Sequence, residues 1–208
     1  MTSNLGIESY CRLTDKALSL NGNIISDVCS DARKTSWLDD IYRYLGIAYL
    51  KFFKMDNLCK SGFLAAELVC NDVHLDRDTY KNDMAIVCFN ASSSLDDDTV
   101  YQRTICDKEN YYPSPSVFVY TLANIVVGEI AIRHKIKGET AFYITETFLP
   151  EQICEVITDV FNDHSVNHLL CGWTEYYQNH CDVLMMYIKR NSQSITKFNP
   201  QFLANLMK

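Results

Sequence analysis

Apolar positions recur with two periods along this chain, and the change of period marks its elements. Residues 5–13 alternate loosely and read as a first strand. Residues 14–36 are polar apart from scattered apolar positions, with Asn21-Gly22-Asn23 as a turn, and carry no further assignment. Trp37, Ile41, Tyr44, Leu45, Ala48, Tyr49 and Phe52 share one helical face and predict a helix over 37–54. A second helix is predicted over 56–71, with Asp56 as its N-cap and with Gly62, Ala65 and Ala66 small enough for close packing. The run 84–89, Met-Ala-Ile-Val-Cys-Phe, is short and wholly apolar, as in a strand buried on both faces.

The centre of the chain is 113–147. Val117, Tyr120, Ala123, Val127 and Ile130 recur at helical spacing, while Phe118, Leu122, Ile125, Val126 and Ile132 fill the other sides. A helix apolar all round is a buried helix, so one long central buried helix is expected, then a turn at Gly138 and a buried strand over 140–145. Glu129 sits inside the apolar run, and a carboxylate at membrane depth is costly, so no membrane span is read. Pro150 suits the first position of a further helix, with Ile153, Val156, Ile157, Val160 and Phe161 on its buried face. Strands follow over 167–173 and 182–188. About eight residues join them, too few for a parallel crossover, so the pair is antiparallel. Asn199-Pro200 caps a short final helix within a tail at 194–208. The expected fold is a single α/β domain spanning 1–208: a mixed five-stranded sheet covered by helices, with a buried central helix.

Composition narrows the function. The formal net charge of −7 disfavours nucleic acid, whose binding depends on neutralising phosphates. The N-terminus has no basic-then-apolar signal, and nine cysteines without a Cys-x-x-Cys pair fit a reducing, cytoplasmic setting and no zinc site. No cofactor or metal is implied. The serines after Asn90 lack the glycine and lysine of a phosphate loop.

Residues 121–147 carry the most specific pattern: Asn124-x-x-x-Gly128 on the helix, Lys137-Gly138 at the turn, a strand, then Thr145-Glu146-Thr147. With Leu169-Leu-Cys-Gly172-Trp-Thr-Glu175 further on, this resembles the N-terminal half of the β-ketoacyl synthases, of the thiolase-like superfamily. The likeness extends over most of 37–190 and is nearest to short ketosynthase-like proteins linked to aryl-polyene-type pathways. It implies a thiolase-like half-domain in which Asn124, Gly128 and Gly138 serve the fold. It also implies a strand, Thr140, Ala141, Phe142, Tyr143, Ile144 and Thr145, that pairs across a dimer two-fold.

Two departures from that family bear on activity. Its nucleophilic cysteine falls on Thr147, a hydroxyl that would need an adjacent base, and Pro150 delays the following helix. The chain also stops where the family's second half, which supplies the decarboxylating residues, would begin. The expectation is a non-catalytic subunit or scaffold for fatty-acid or polyketide condensation, as a homodimer or a heterodimer with a full-length ketosynthase. The alternatives are an acyltransferase or thioesterase using Thr147 or Cys154, and a small-molecule binding domain. The basic residues Arg133, His134, Lys135 and Lys137 would complement the helix dipole or dock an acidic acyl carrier protein.

Overall fold

A computed structural model describes residues 5–26, 37–194 and 196–207 of the 208. Seven strands form one mixed sheet: β1 (Leu5–Thr14), β2 (Leu18–Leu20), β3 (Asn23–Ser26), β4 (Met84–Asn90), β5 (Thr140–Ile144), β6 (His168–Tyr177) and β7 (His180–Arg190). Their order is β3-β2-β1-β7-β6-β4-β5. β4 runs parallel to β5 and β6, and every other pairing is antiparallel. The two strands beyond the expected five are β2 and β3. They form a hairpin inside the polar stretch, turning at Asn21 and Gly22, both with positive φ. Residues 27–36 lie outside the described part.

Helices cover both faces: α1 (Trp37–Tyr44), α2 (Asn57–Asp72), α3 (Leu95–Ile105), α4 (Pro115–Tyr120), α5 (Ile125–His134), α6 (Pro150–Val160) and α7 (Pro200–Leu206). β4 shows how the layers form. Alternate side chains leave a strand on opposite faces. Met84, Ile86 and Cys88 therefore join α1, α2 and α5 in one core, while Ala85, Val87 and Phe89 join α6 and α7 in the other. β6 and β7 meet through a tight turn at Gln178-Asn179, both left-handed, which is the antiparallel pairing expected.

Two helices differ from expectation. The run 37–54 breaks after α1 at Gly46, whose φ is +63, and resumes as a 3-10 turn over Leu50–Lys54. The long helix of 113–134 is two helices. Thr121 closes α4 by bonding back to the Phe118 carbonyl through both its amide and its hydroxyl. The central buried helix is α2, which Asp56 caps through the Leu58 and Cys59 amides and which is buried along nearly its whole length. α5 buries Val126, Val127 and Ile130, but α4 buries nothing, and Phe118, Val119 and Leu122 face outward.

Candidate functional site

The C-terminal ends of the parallel strands β4, β5 and β6 come together at one end of the sheet. The Asn90–Ser93 turn sits at their centre. Asn90 braces it, accepting from the Ser93 amide at 3.1 Å and donating to the Ser93 carbonyl at 2.8 Å. Glu175, near the end of β6, accepts the Ala91 and Ser92 amides at 2.7 and 3.1 Å. Sequence reasoning placed Glu175 in a Gly-x-x-Glu pattern without giving it this task.

β5 leads into the tip. The Thr145 amide bonds the Asn90 carbonyl, and the Thr145 hydroxyl bonds the Thr147 carbonyl at 3.0 Å. Thr147 is exposed, and its hydroxyl has no hydrogen-bond partner among the described residues. α6 starts only at Pro150, three residues beyond Thr147. A threonine nucleophile requires a hydrogen-bonded base, and none is bonded to Thr147 among the described residues. Cys154 lies inside α6, half-buried. Burial, and then the charge of Glu151, push its thiol up to about 12, the reverse of an activated thiolate.

The other thiols and imidazoles do not converge. Cys171 is buried in the sheet, and the Cys181 thiol points at the Leu13 carbonyl, with burial holding its pKa well up. His168 Nδ1 is 2.9 Å from the Tyr187 hydroxyl, and His180 Nδ1 is 3.7 Å from Asp15. Among the described residues, no three His, Cys, Asp or Glu side chains are grouped to hold a metal. No helix there is long and apolar enough to cross a membrane.

Two clefts flank the turn. One, of about 550 Å³, runs between β5 and the α4–α5 junction and is lined by Leu122, Asn124, Gly128, Thr140, Phe142 and Ile144. It unites the Asn-x-x-x-Gly residues with the strand expected to pair. That strand is the outermost of the sheet, with Tyr143 and Ile144 exposed and its second edge unpaired among the described residues. The other cleft, of about 450 Å³, lies over Glu146, Thr147 and Glu175.

The four-residue basic patch does not form. Arg133 turns inward to Glu67, with Nε at 2.8 Å, and His134 is fully buried with Nε2 3.1 Å from the same carboxylate. A buried Glu67 needs these partners more than the surface does. Lys135 and Lys137 remain outside, both against the ring of Tyr80.

No family model and no curated protein sequence matches the chain. Solved structures do. The ishigamide ketosynthase/chain length factor superposes with a TM-score of 0.69 at 14% identity, over 93% of this chain and 64% of that one. The chain has the ketosynthase-type, thiolase-like fold. A chain of the ketosynthase ApeO in complex with its chain length factor ApeC, from Xenorhabdus doucetiae, matches at a TM-score of 0.59 and 11% identity, over 98% and 91% of the two chains. A β-ketoacyl synthase from Burkholderia phymatum matches at 0.57 and 9%, over 99% of this chain and 62% of that one. The ketosynthase-like chain thus spans less than two thirds of the first of these relatives and nearly all of the second.

Proposed function

We propose that the protein is a non-catalytic, ketosynthase-like subunit of a fatty-acid or polyketide condensing system of the aryl-polyene kind, serving a ketosynthase as a chain length factor does. The observation that carries this is the open edge of β5. An apolar, unpaired edge strand is a liability unless something covers it. Here Ile144 shares a cleft with Leu122 of the α4–α5 junction, and both side chains are at least half-exposed. The partner that fits such an edge is a second strand of the same fold, from a ketosynthase or from another copy of this chain.

The tip supports the non-catalytic half of the proposal. No base is hydrogen-bonded to Thr147 among the described residues, and Cys154 is held as a thiol. An acidic carrier protein would meet Lys135 and Lys137 rather than the full basic run. Two experiments test the reading. Co-expression with a ketosynthase encoded nearby should yield a complex by size exclusion with light scattering; a clean monomer alone and in the mixture removes the subunit role. Incubation with acyl-carrier thioesters should leave the intact mass unchanged, whereas an adduct lost in T147A or C154A would establish the acyltransferase or thioesterase alternative.

A further inference from the structure

The cleft over Glu146 and Glu175 carries chemistry that a subunit role does not use. Glu175 is 9% exposed. One of its oxygens takes the two turn amides, while the other, Oε1, is buried and has no donor. Buried carboxylate oxygens are ordinarily hydrogen-bonded, so an orphan on a residue that lines an open cleft calls for a donor. The charges around it are lopsided. Asp182 is neutralised by Arg12, and His180 leans on Asp15. Glu146, exposed at the rim, and Glu175, within, have no cation among the described residues. Trp173 and Tyr177 supply aromatic surface to the same cleft.

Two uncompensated carboxylates with aromatic neighbours favour a cation that can donate hydrogen bonds, and they repel an anion. We propose that this cleft binds an alkylguanidinium or alkylammonium group, which donates to Glu175 and pairs at the rim with Glu146. The group belongs either to a free small amine or to an arginine or lysine side chain presented by another protein. The chemistry recognised is the same, and the site does not depend on the subunit role.

The test is a titration of the ¹⁵N-labelled full chain, followed by NMR, with agmatine in one arm and Nα-acetyl-arginine N-methylamide in the other. Saturable shifts of the Ala91 and Ser92 amides and the Trp173 indole are expected, with a Kd on the order of 1 mM. E175Q should abolish them. Because E175Q also touches the turn, E146Q is the second variant: its side chain is exposed, its melting temperature should not change, and its affinity should fall about fivefold. Tighter binding of agmatine identifies a free amine; tighter binding of the blocked arginine identifies an inserted side chain. No saturable shift up to roughly 50 mM overturns the proposal, given the expected affinity. So does equal affinity in E146Q, or the same set of shifts produced by malonate.

Discussion

Gly138 and Met84 touch backbone to backbone: a Cβ on Gly138 would lie 2.2 Å from the Met84 carbonyl oxygen and 2.9 Å from its carbon. The contact sets how closely the turn into β5 approaches the start of β4. Main chain cannot swing aside as a side chain can, so G138A should cost about 2 kcal/mol, a melting temperature lower by roughly 5 °C. Gly128, the other glycine of the motif, meets nothing within 4 Å of its added Cβ. It sits inside α5, where glycine is poorer than alanine, so G128A should stabilise the chain by about 0.5–1 kcal/mol. Thermal unfolding of both variants should therefore give opposite signs. A destabilised G128A would show that its helix is not as open as the cleft beside β5 implies.

The Glu67 cluster gives a pH-dependent prediction. Burial alone would raise this carboxyl, but contacts from His134 and Arg133 outweigh it and hold the pKa at about 2, against an ordinary 4.5. A depressed carboxylate stabilises the fold above its unfolded pKa and loses that contribution as pH falls through the folded one. His134 is also lowered, chiefly by burial, so its cost appears as pH falls below its ordinary 6.5. On this contribution alone, urea midpoints should fall below pH 6.5 and again between 4.5 and about 2. E67Q strands Arg133 and should cost about 3 kcal/mol at pH 7, with the lower step abolished. An unchanged lower step would show that other carboxyls govern acid unfolding.

What the sequence disclosed and what it hid follow from one physical limit. Periodicity reports where apolar side chains point, not what covers them. The β4 run, the Asp56 cap, the antiparallel β6–β7 pair and the Pro150 start were all legible, because each is decided by neighbouring residues. The α4 segment reads as core on the same periodicity, yet Phe118, Val119 and Leu122 are exposed. The β2–β3 hairpin was hidden because its strands are only three and four residues long, too short to show a period, although Leu18 is buried in the core. The inward turn of Arg133 and His134 was not legible, since their partner, Glu67, is 66 residues from Arg133 on another helix.

A carboxyl pair, Asp56 and Asp97, predicts the opposite pH response. Asp97 on α3 lies against Asp56, the α2 cap. Burial, then the charge of Asp56, raise Asp97 from 3.8 to about 8, with Asp96 and Asp98 adding to the shift. A group with a raised pKa stabilises fully below its unfolded value, and that contribution is lost as pH rises through the folded one. The stability of the chain should therefore decline from about pH 4 towards 8 on this account. D97N keeps the shape and removes the charge, so it should match or exceed the parent at pH 8 and flatten most of the decline. The remaining slope belongs to Asp56, itself raised by burial. A D97N chain weaker than the parent at pH 8 would mean that Asp97 is ionised and usefully paired.

The open edge of β5 yields the prediction most directly tied to function. Tyr143 and Ile144 are 41% and 59% exposed, so lysine at either position meets water in the isolated chain. Surface changes of this kind usually stay within about 0.5 kcal/mol, and Y143K and I144K should melt close to the parent. Natural edge strands use lysine to prevent pairing, because its charge is costly to bury against another strand. Both variants should therefore abolish assembly with a ketosynthase or a second copy while leaving the monomer's circular dichroism intact. Tyr143 also stacks on Phe89, with ring centroids 5.2 Å apart, so a modest loss of stability in Y143K alone would report that contact rather than the interface. I144K has no such contact, which makes it the cleaner of the two. An I144K chain that still assembles would move the interface away from β5 and leave the apolar surface of α4 to be covered some other way.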